Sequence, residues 1–210
     1  MKRLPERIGV YAILDPGLLS ASELPAAARD LASAGVRVFQ VRAKTLATGA
    51  LVDLTREVRA ALPANAVLIV NDRVDVALAC GADGVHLGDE DLPVDKARRI
   101  LPPGALIGFS THSIAEVEAA NSLPCDYIGF GPVFESTTKQ TGRRPHGVSG
   151  LALACAKAGK PVVAIGGIQV GQVATLLGAG ACGVAMASGL LVQGRIFELA
   201  RAAVEEARCL

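Results

Sequence analysis

The sequence predicts an α/β chain folded as a single (β/α)₈ TIM barrel over residues 1–210, and three observations carry that expectation. Eight short apolar segments alternate with segments of helical composition. These apolar segments lack a polar face, as parallel strands covered by helices should. Each then runs into polar or glycine-rich residues, and in a barrel all such ends open onto one face. A doubly wound open sheet would use about five or six strands.

The elements follow in order. Val10–Leu14 is the first strand, closed by Asp15, Pro16 and Gly17. Ser22 is placed to cap a helix from about Glu23 to Ala34, which Gly35 ends. Val36–Val41 is the second strand; a helix over Thr48–Leu62 stops at Pro63. Val67–Val70 is the third, ending in Asn71 and Asp72 before a short helix over Val74–Ala79. Gly84–Leu87, the fourth, leads into an acidic loop and a helix from Pro93 to Ile100. Leu106–Phe109 is the fifth, with a helix over Ser113–Asn121, and Tyr127–Val133 is the sixth. A polar segment, Glu135–Ser149, has the length and glycines of a mobile lid. Helix over Leu151–Ala158, strand Pro161–Ile165, helix Val170–Leu177, strand Gly183–Met186 and helix Gln193–Ala207 complete the series. GADGV at 81–85 and GACGV at 180–184 precede the fourth and eighth strands, a faint echo that fits two half-barrels.

Composition narrows the function. With aromatic residues at 3%, the core must be built from Ala, Val, Ile and Leu. A formal charge of +1, without a basic stripe or aromatic platform, gives no reason to expect nucleic acid. The basic residues near the start precede an apolar run too short for a signal core or a membrane span, so a cytoplasmic protein without a membrane partner is expected. The five cysteines lack CxxC spacing, which argues against a disulfide framework or a thiolate metal site.

The predicted rim gathers Asp15, Gln40, Arg42, Lys44, Asn71, Asp72, His86, Asp91, Ser110, His112, Ser136–Lys139, Gly166–Gly167 and Ala187–Ser188. Asp72 and Asp91 suit a hard cation such as Mg²⁺, completed by phosphate oxygens and water. The alternative is that Asp72 pairs with Arg73 or caps the next helix and that Asp91 only starts a turn. Arg42, Lys44 and Lys139 could neutralise a diphosphate across that metal, or Arg42 and Lys44 could belong to a solvated loop. Gln40, an amide at the end of an apolar strand, needs a partner and could read the heteroatoms of a ring. Gly166 and Gly167 offer backbone N–H groups to a phosphate, with Ala187 and Ser188 beside them. Ser136, Thr137, Thr138 and Lys139 suit a phosphorylated ligand, or form an ordinary solvated turn. His86 fits a packed, hydrogen-bonded residue, and His146, in the lid, should face solvent.

Seven ordered stretches carry a resemblance: QVRAK at 40–44, VNDRVDVAL at 70–78, GADGVHLGDEDLP at 81–93, IGFSTHS at 107–113, DYIGFGPVF with TK between 126 and 139, PVVAIGGI at 161–168 and GVAMASG at 183–189. Together they resemble the thiamine phosphate synthase family, within a wider superfamily that includes thiazole tautomerases. The resemblance implies a transferase that condenses an aminopyrimidine diphosphate with a thiazole phosphate, by loss of pyrophosphate and capture of the pyrimidine cation by the thiazole nitrogen. It implies that Gln40, Arg42, Lys44, Asn71, Ser110 and Lys139 bind the pyrimidine substrate, with Arg42, Lys44, Ser110 and Lys139 catalytic. Asp72 and Asp91 would hold Mg²⁺, while Ser136, Thr137, Thr138, Gly167, Ala187 and Ser188 would receive the thiazole phosphate. A homo-oligomer is left open.

Asp89, Glu135, Ser136 and GVSGL at 147–151 depart from the family pattern, and the last three are also found in tautomerases. A tautomerase acting on carboxythiazole phosphate is the alternative, with a non-catalytic thiazole phosphate binding protein a further one. Tautomerases of this superfamily commonly place a catalytic histidine where this chain has Pro132, and they tend to lose the cationic and acidic diphosphate apparatus that it keeps.

Overall fold

The computed structural model describes residues 4, 7–135 and 144–208. Eight strands alternate with eight helices: β1 (Gly9–Leu14), α1 (Leu24–Ser33), β2 (Val38–Val41), α2 (Thr48–Ala61), β3 (Val67–Asn71), α3 (Val74–Cys80), β4 (Gly84–Leu87), α4 (Val94–Ile100), β5 (Leu106–Thr111), α5 (Ile114–Ala120), β6 (Tyr127–Phe130), α6 (Gly147–Lys157), β7 (Val162–Ile165), α7 (Val173–Gly178), β8 (Gly183–Met186) and α8 (Ile196–Arg208). The strands form a closed barrel in sequence order. β8 returns to pair in parallel with β1, Val10 lying opposite Val184.

Two cores account for strands that are apolar on both faces. Outside the barrel, α2 buries Leu51, Leu54, Thr55 and Val58, the i, i+3, i+4, i+7 stripe of a helix lying on a sheet. The hydroxyl of Thr55 is satisfied by donating to the Leu51 carbonyl at 2.7 Å. α1 does the same with Leu24, Ala27, Ala28, Leu31 and Ala32. Inside, Tyr11, Ile13, Val38, Val67, Ile69, Leu106, Tyr127, Val163 and Ala185 fill the barrel. Burial pushes the thiol of Cys155 up to about 11 and that of Cys182 to about 12, so both remain protonated packing groups.

Most boundaries lie within a few residues of expectation, and the differences have local causes. Ser22 does not cap α1: Glu23 takes the cap position without a side-chain bond, and its carboxylate instead accepts from the Ser20 amide at 3.1 Å. α5 is capped by Ser113, whose hydroxyl accepts from the Glu116 amide while Glu116 accepts from the His112 amide. β6 ends at Phe130, because Pro132 has no N–H for a ladder. α6 begins at Gly147, so the tail of the polar segment expected as a lid is helix. Residues 136–143 of that segment lie outside the described residues.

The lower rim, opposite the C-terminal strand ends, carries polar groups of its own. Asp83 accepts from the Leu68 amide at 2.8 Å and pairs with Arg59 at 3.2 Å. Asp126 accepts from the Ile107 amide at 2.7 Å and pairs with Arg98 at 2.6 Å. These carboxylates tie neighbouring strands together.

Close backbone approach also sets the barrel's tolerance. A Cβ at Gly84 would lie 2.1 Å from the Leu106 carbonyl oxygen of the neighbouring strand. Gly84→Ala is therefore expected to cost about 1–3 kcal/mol of stability or prevent folding, read as a lowered urea midpoint.

Candidate functional site

Because every strand is parallel, every C-terminal end reaches the same mouth, and a cavity of about 130 Å³ opens there. Gln40, Arg42, Asn71, His86, Ser110, His112, Gly166, Gly167, Ala187 and Ser188 all line it. The first strand contributes Asp15, which sequence reasoning placed on the rim without a task. Its carboxylate pairs with Arg42 and accepts from the Gly17 amide at 2.9 Å. The guanidinium of Arg42 is thereby anchored beside the cavity, its backbone N–H bonded to the Leu14 carbonyl at 2.9 Å.

Asp72 sits directly after β3 with φ +62°, the one non-glycine residue in left-handed backbone among those described. Aspartate tolerates that region better than most residues, and such conformations gather where a side chain has to be aimed. Here the turn, held by the Asp72 amide on the His86 carbonyl at 2.8 Å, brings the carboxylate to 3.2 Å from the Lys44 ammonium. Asp72 does not pair with Arg73, whose partner is Asp75 at 2.5 Å, nor does it cap α3.

Asp91 does close a turn, accepting from the Gly88 amide at 2.7 Å. Burial raises its carboxyl above the ordinary range, the Gly88 N–H opposes this, and the adjacent Asp72 raises it further. Two carboxylates and an ammonium thus share one corner of the mouth, although none of the three lines the cavity itself. Among the described residues no cluster of three or more His, Cys, Asp or Glu side chains is placed to hold a metal.

The raised Asp91 carboxyl has a consequence for stability. The unfolded chain releases this proton at lower pH than the folded chain, so stability declines as pH rises from the unfolded to the folded value and stays lower above it. Asp91→Asn keeps an acceptor for Gly88 and removes the conflict with Asp72. Without divalent cations it should melt higher than the parent at neutral pH, with the advantage vanishing below the carboxylate range.

On the other side, Gly166 and Gly167 follow β7 with φ of +103° and +66°. A Cβ on Gly167 would lie 2.1 Å from the Glu135 carbonyl oxygen, so only glycine lets the two loops meet. The Phe134 amide donates to the Gly166 carbonyl at 3.0 Å, which fixes the start of the loop after β6 beside the turn after β7. Ser136, Thr137, Thr138 and Lys139, expected at this place, lie outside the described residues.

The histidines divide. His86 is buried, and its ring nitrogens meet Tyr127 Oη at 3.1 Å and Ser110 Oγ at 2.9 Å. His112 Nδ1 lies 2.7 Å from the Gly131 carbonyl oxygen. His146, expected in solvent, is instead half-buried, with Nε2 2.9 Å from the His112 carbonyl oxygen and its ring 4.7 Å from that of Phe130. Sequence reasoning missed Tyr11 and the inward direction of Tyr127. The available signal was alternation: Tyr11, Ile13 and Asp15 share one face of β1 and its extension.

Comparison with known proteins agrees over nearly the whole chain. A family model described as thiamine monophosphate synthase matches residues 10–190. The chain is 41% identical over 183 residues to the thiamine-phosphate synthase of Anaeromyxobacter dehalogenans, covering 87% of this chain and 80% of that protein. It is 42% identical over 206 residues to a thiamine biosynthesis bifunctional protein of Symbiobacterium thermophilum; 98% of this chain matches, spanning 42% of that longer protein. The thiamine phosphate pyrophosphorylase structure from Pyrococcus furiosus superposes with a TM-score of 0.82 at 32% identity, over 98% of both chains.

Proposed function

The chain belongs to the thiamine monophosphate synthase family, a family of transferases, and from that premise we propose that it condenses 4-amino-2-methyl-5-(diphosphooxymethyl)pyrimidine with a thiazole phosphate to give thiamine phosphate and pyrophosphate. The observation that carries this reading is the corner where Asp72 and Asp91 meet Lys44, with Arg42 beside the cavity. A diphosphate leaving group needs neutralising charge: Lys44 and Arg42 would supply part of it, and the two carboxylates would contribute only through a cation held between them.

The donor set fits a hard divalent cation: the neighbouring Asp72 carboxylate and burial both disfavour the charged form of Asp91, and a cation would relieve that conflict. Asp72 and Asp91 would hold Mg²⁺, which would supply charge neutralisation to the diphosphate. Arg42, oriented by Asp15, and Lys44, with Lys139, would bind the diphosphate oxygens and stabilise the negative charge that grows as the carbon–oxygen bond breaks. Gln40, Asn71 and Ser110 would orient the pyrimidine so that its cation faces the second substrate. Gly167, Ala187 and Ser188, with Ser136, Thr137 and Thr138, would hold the thiazole phosphate and direct its ring nitrogen to the carbon that forms the new bond. Pro132, beside the cavity, carries no ionisable group, which supports condensation over ring isomerisation at this position.

No helix among the described residues is long and apolar enough to cross a membrane. The test incubates the chain with both substrates, with and without Mg²⁺, and measures thiamine phosphate and pyrophosphate against each substrate alone. Equal yields of both products only when both substrates and Mg²⁺ are present are expected. Metal-independent isomerisation of carboxythiazole phosphate, with no condensation product, would overturn the reading in favour of a tautomerase.

A further inference from the structure

Five side chains from five strands form one continuous hydrogen-bonded chain across the barrel interior. Gln40 Nε2 lies 2.8 Å from Tyr11 Oη, which lies 3.0 Å from Tyr127 Oη. Tyr127 Oη lies 3.1 Å from His86 Nδ1, and His86 Nε2 lies 2.9 Å from Ser110 Oγ. Both ends, Gln40 and Ser110, line the cavity, while the two tyrosines are 1% and 0% exposed. The barrel makes room for them with glycine: a Cβ on Gly108 would lie 2.2 Å from Tyr127 and 2.3 Å from His86.

The direction of this chain follows from its first member. An amide nitrogen can only donate, so the Tyr11 oxygen accepts and its proton goes on to Tyr127. With Tyr127 Oη accepting from Tyr11, the Tyr127 proton has His86 Nδ1, 3.1 Å away, as the acceptor that continues the chain. A neutral imidazole that accepts at Nδ1 carries its proton on Nε2, which donates to Ser110 Oγ. The Ser110 proton is then left to point into the cavity. Burial pushes the Tyr11 phenol up to about 12 and that of Tyr127 well above its ordinary value, so neither breaks the chain by ionising.

We propose that this chain is a polarised relay that holds His86 as the Nε2–H tautomer and presents the Ser110 hydroxyl as a hydrogen-bond donor to an acceptor nitrogen of a ligand ring. Tyr11, Tyr127 and His86 are thereby positioning residues for ring recognition. The identity of the ring as an aminopyrimidine rests on the function proposed above; the tautomer does not. Gln40 and Ser110 read the ring together, because the amide that donates to Tyr11 at one end sets the direction of the hydroxyl at the other.

The test reads the His86 ring nitrogens by ¹⁵N nuclear magnetic resonance in the ligand-free protein, with the resonance assigned by its loss in His86→Gln. A pyrrole-like Nε2 and a pyridine-like Nδ1 are expected. Gln40→Glu places an acceptor at the head of the chain, so every bond should reverse and the ring proton should move to Nδ1. Tyr127→Phe cuts the chain beside the ring and should leave a mixture of tautomers. A parental Nδ1–H ring, or a ring unmoved by both substitutions, overturns the relay. Calorimetric binding of the aminopyrimidine diphosphate gives the second arm. His86→Asn should weaken it about tenfold, the loss of one well-placed hydrogen bond, while His86→Gln, whose amide nitrogen reaches the Nε2 position, should restore it. Equal affinity in the parent and His86→Asn overturns the recognition role. Because the tautomer is measured without ligand, its failure is distinguishable from failure of the proposed condensation.

Discussion

Replacing both Asp72 and Asp91 by asparagine is expected to lower Mg²⁺-dependent turnover by about a thousandfold or more, the kinetic equivalent of several kcal/mol of lost charge stabilisation. Asparagine matches aspartate in volume and can still accept from the Gly88 amide that Asp91 now engages. What it removes is the pair of negative charges, and with them the donors that would hold the proposed Mg²⁺ at this corner. The Lys44 ammonium, half exposed and 3.2 Å from Asp72, also loses its counter-ion, but with that access to water it is readily solvated, so the loss should cost little stability. The double variant should therefore remain folded in the absence of metal, at least as stable as the parent, while pyrophosphate release stays low even as Mg²⁺ is raised. Parental kcat at saturating Mg²⁺ and substrates would show that the diphosphate is neutralised elsewhere.

The barrel was legible because its signal is repetitive. Eight apolar segments, each closed by polar or glycine residues, admit few arrangements, and parallel pairing brings all eight ends to one mouth. What sequence periodicity could not supply was the content of the barrel. Tyr127 reads as one more packable residue, since an aromatic in a buried strand is usually packing. Only the closed circle of strands shows that it and Tyr11 point to the same axis, with hydroxyls 3.0 Å apart. Local competition decided the ends of elements. Ser22 had the chemistry to cap α1, but Glu23 took the position and turned its carboxylate to Ser20.

Much of the expected rim gathers at one cavity for the same reason, and the way its ambiguities resolve is informative. Asp72 could have paired with Arg73, its neighbour in sequence; instead its left-handed backbone aims it at Lys44, and Arg73 finds Asp75. That choice depends on a turn conformation that residue types only permit. The Asp15–Arg42 pair joins residues just past the ends of adjacent strands, so no local spacing reports it. Asp15 closes β1 and looks like a turn residue until the register sets Leu14 against Val41, one residue before Arg42.

Arg42→Ala is expected to reduce kcat/KM for the pyrimidine diphosphate by about 100- to 1,000-fold, the usual effect of removing one fixed donor from developing negative charge. It should also destabilise the fold by roughly 2–4 kcal/mol, because Asp15, only 8% exposed, would be left buried without its cationic partner. The two losses have different causes and should separate. Adding Asp15→Asn to Arg42→Ala removes the stranded charge while leaving an oxygen for the Gly17 amide, and so should recover most of the stability. Catalysis should not recover, since the guanidinium proposed to bind the diphosphate is still missing. Arg42→Lys should fall between the parent and Arg42→Ala in rate, because an ammonium keeps the charge but cannot engage Asp15 and two phosphate oxygens in one planar fork. Urea midpoints and steady-state rates on the same four proteins decide the matter. If Asp15→Asn restored both stability and rate to the Arg42→Ala protein, Arg42 would be a structural counter-ion to Asp15, and the leaving diphosphate would be held by Lys44 and Lys139 without it.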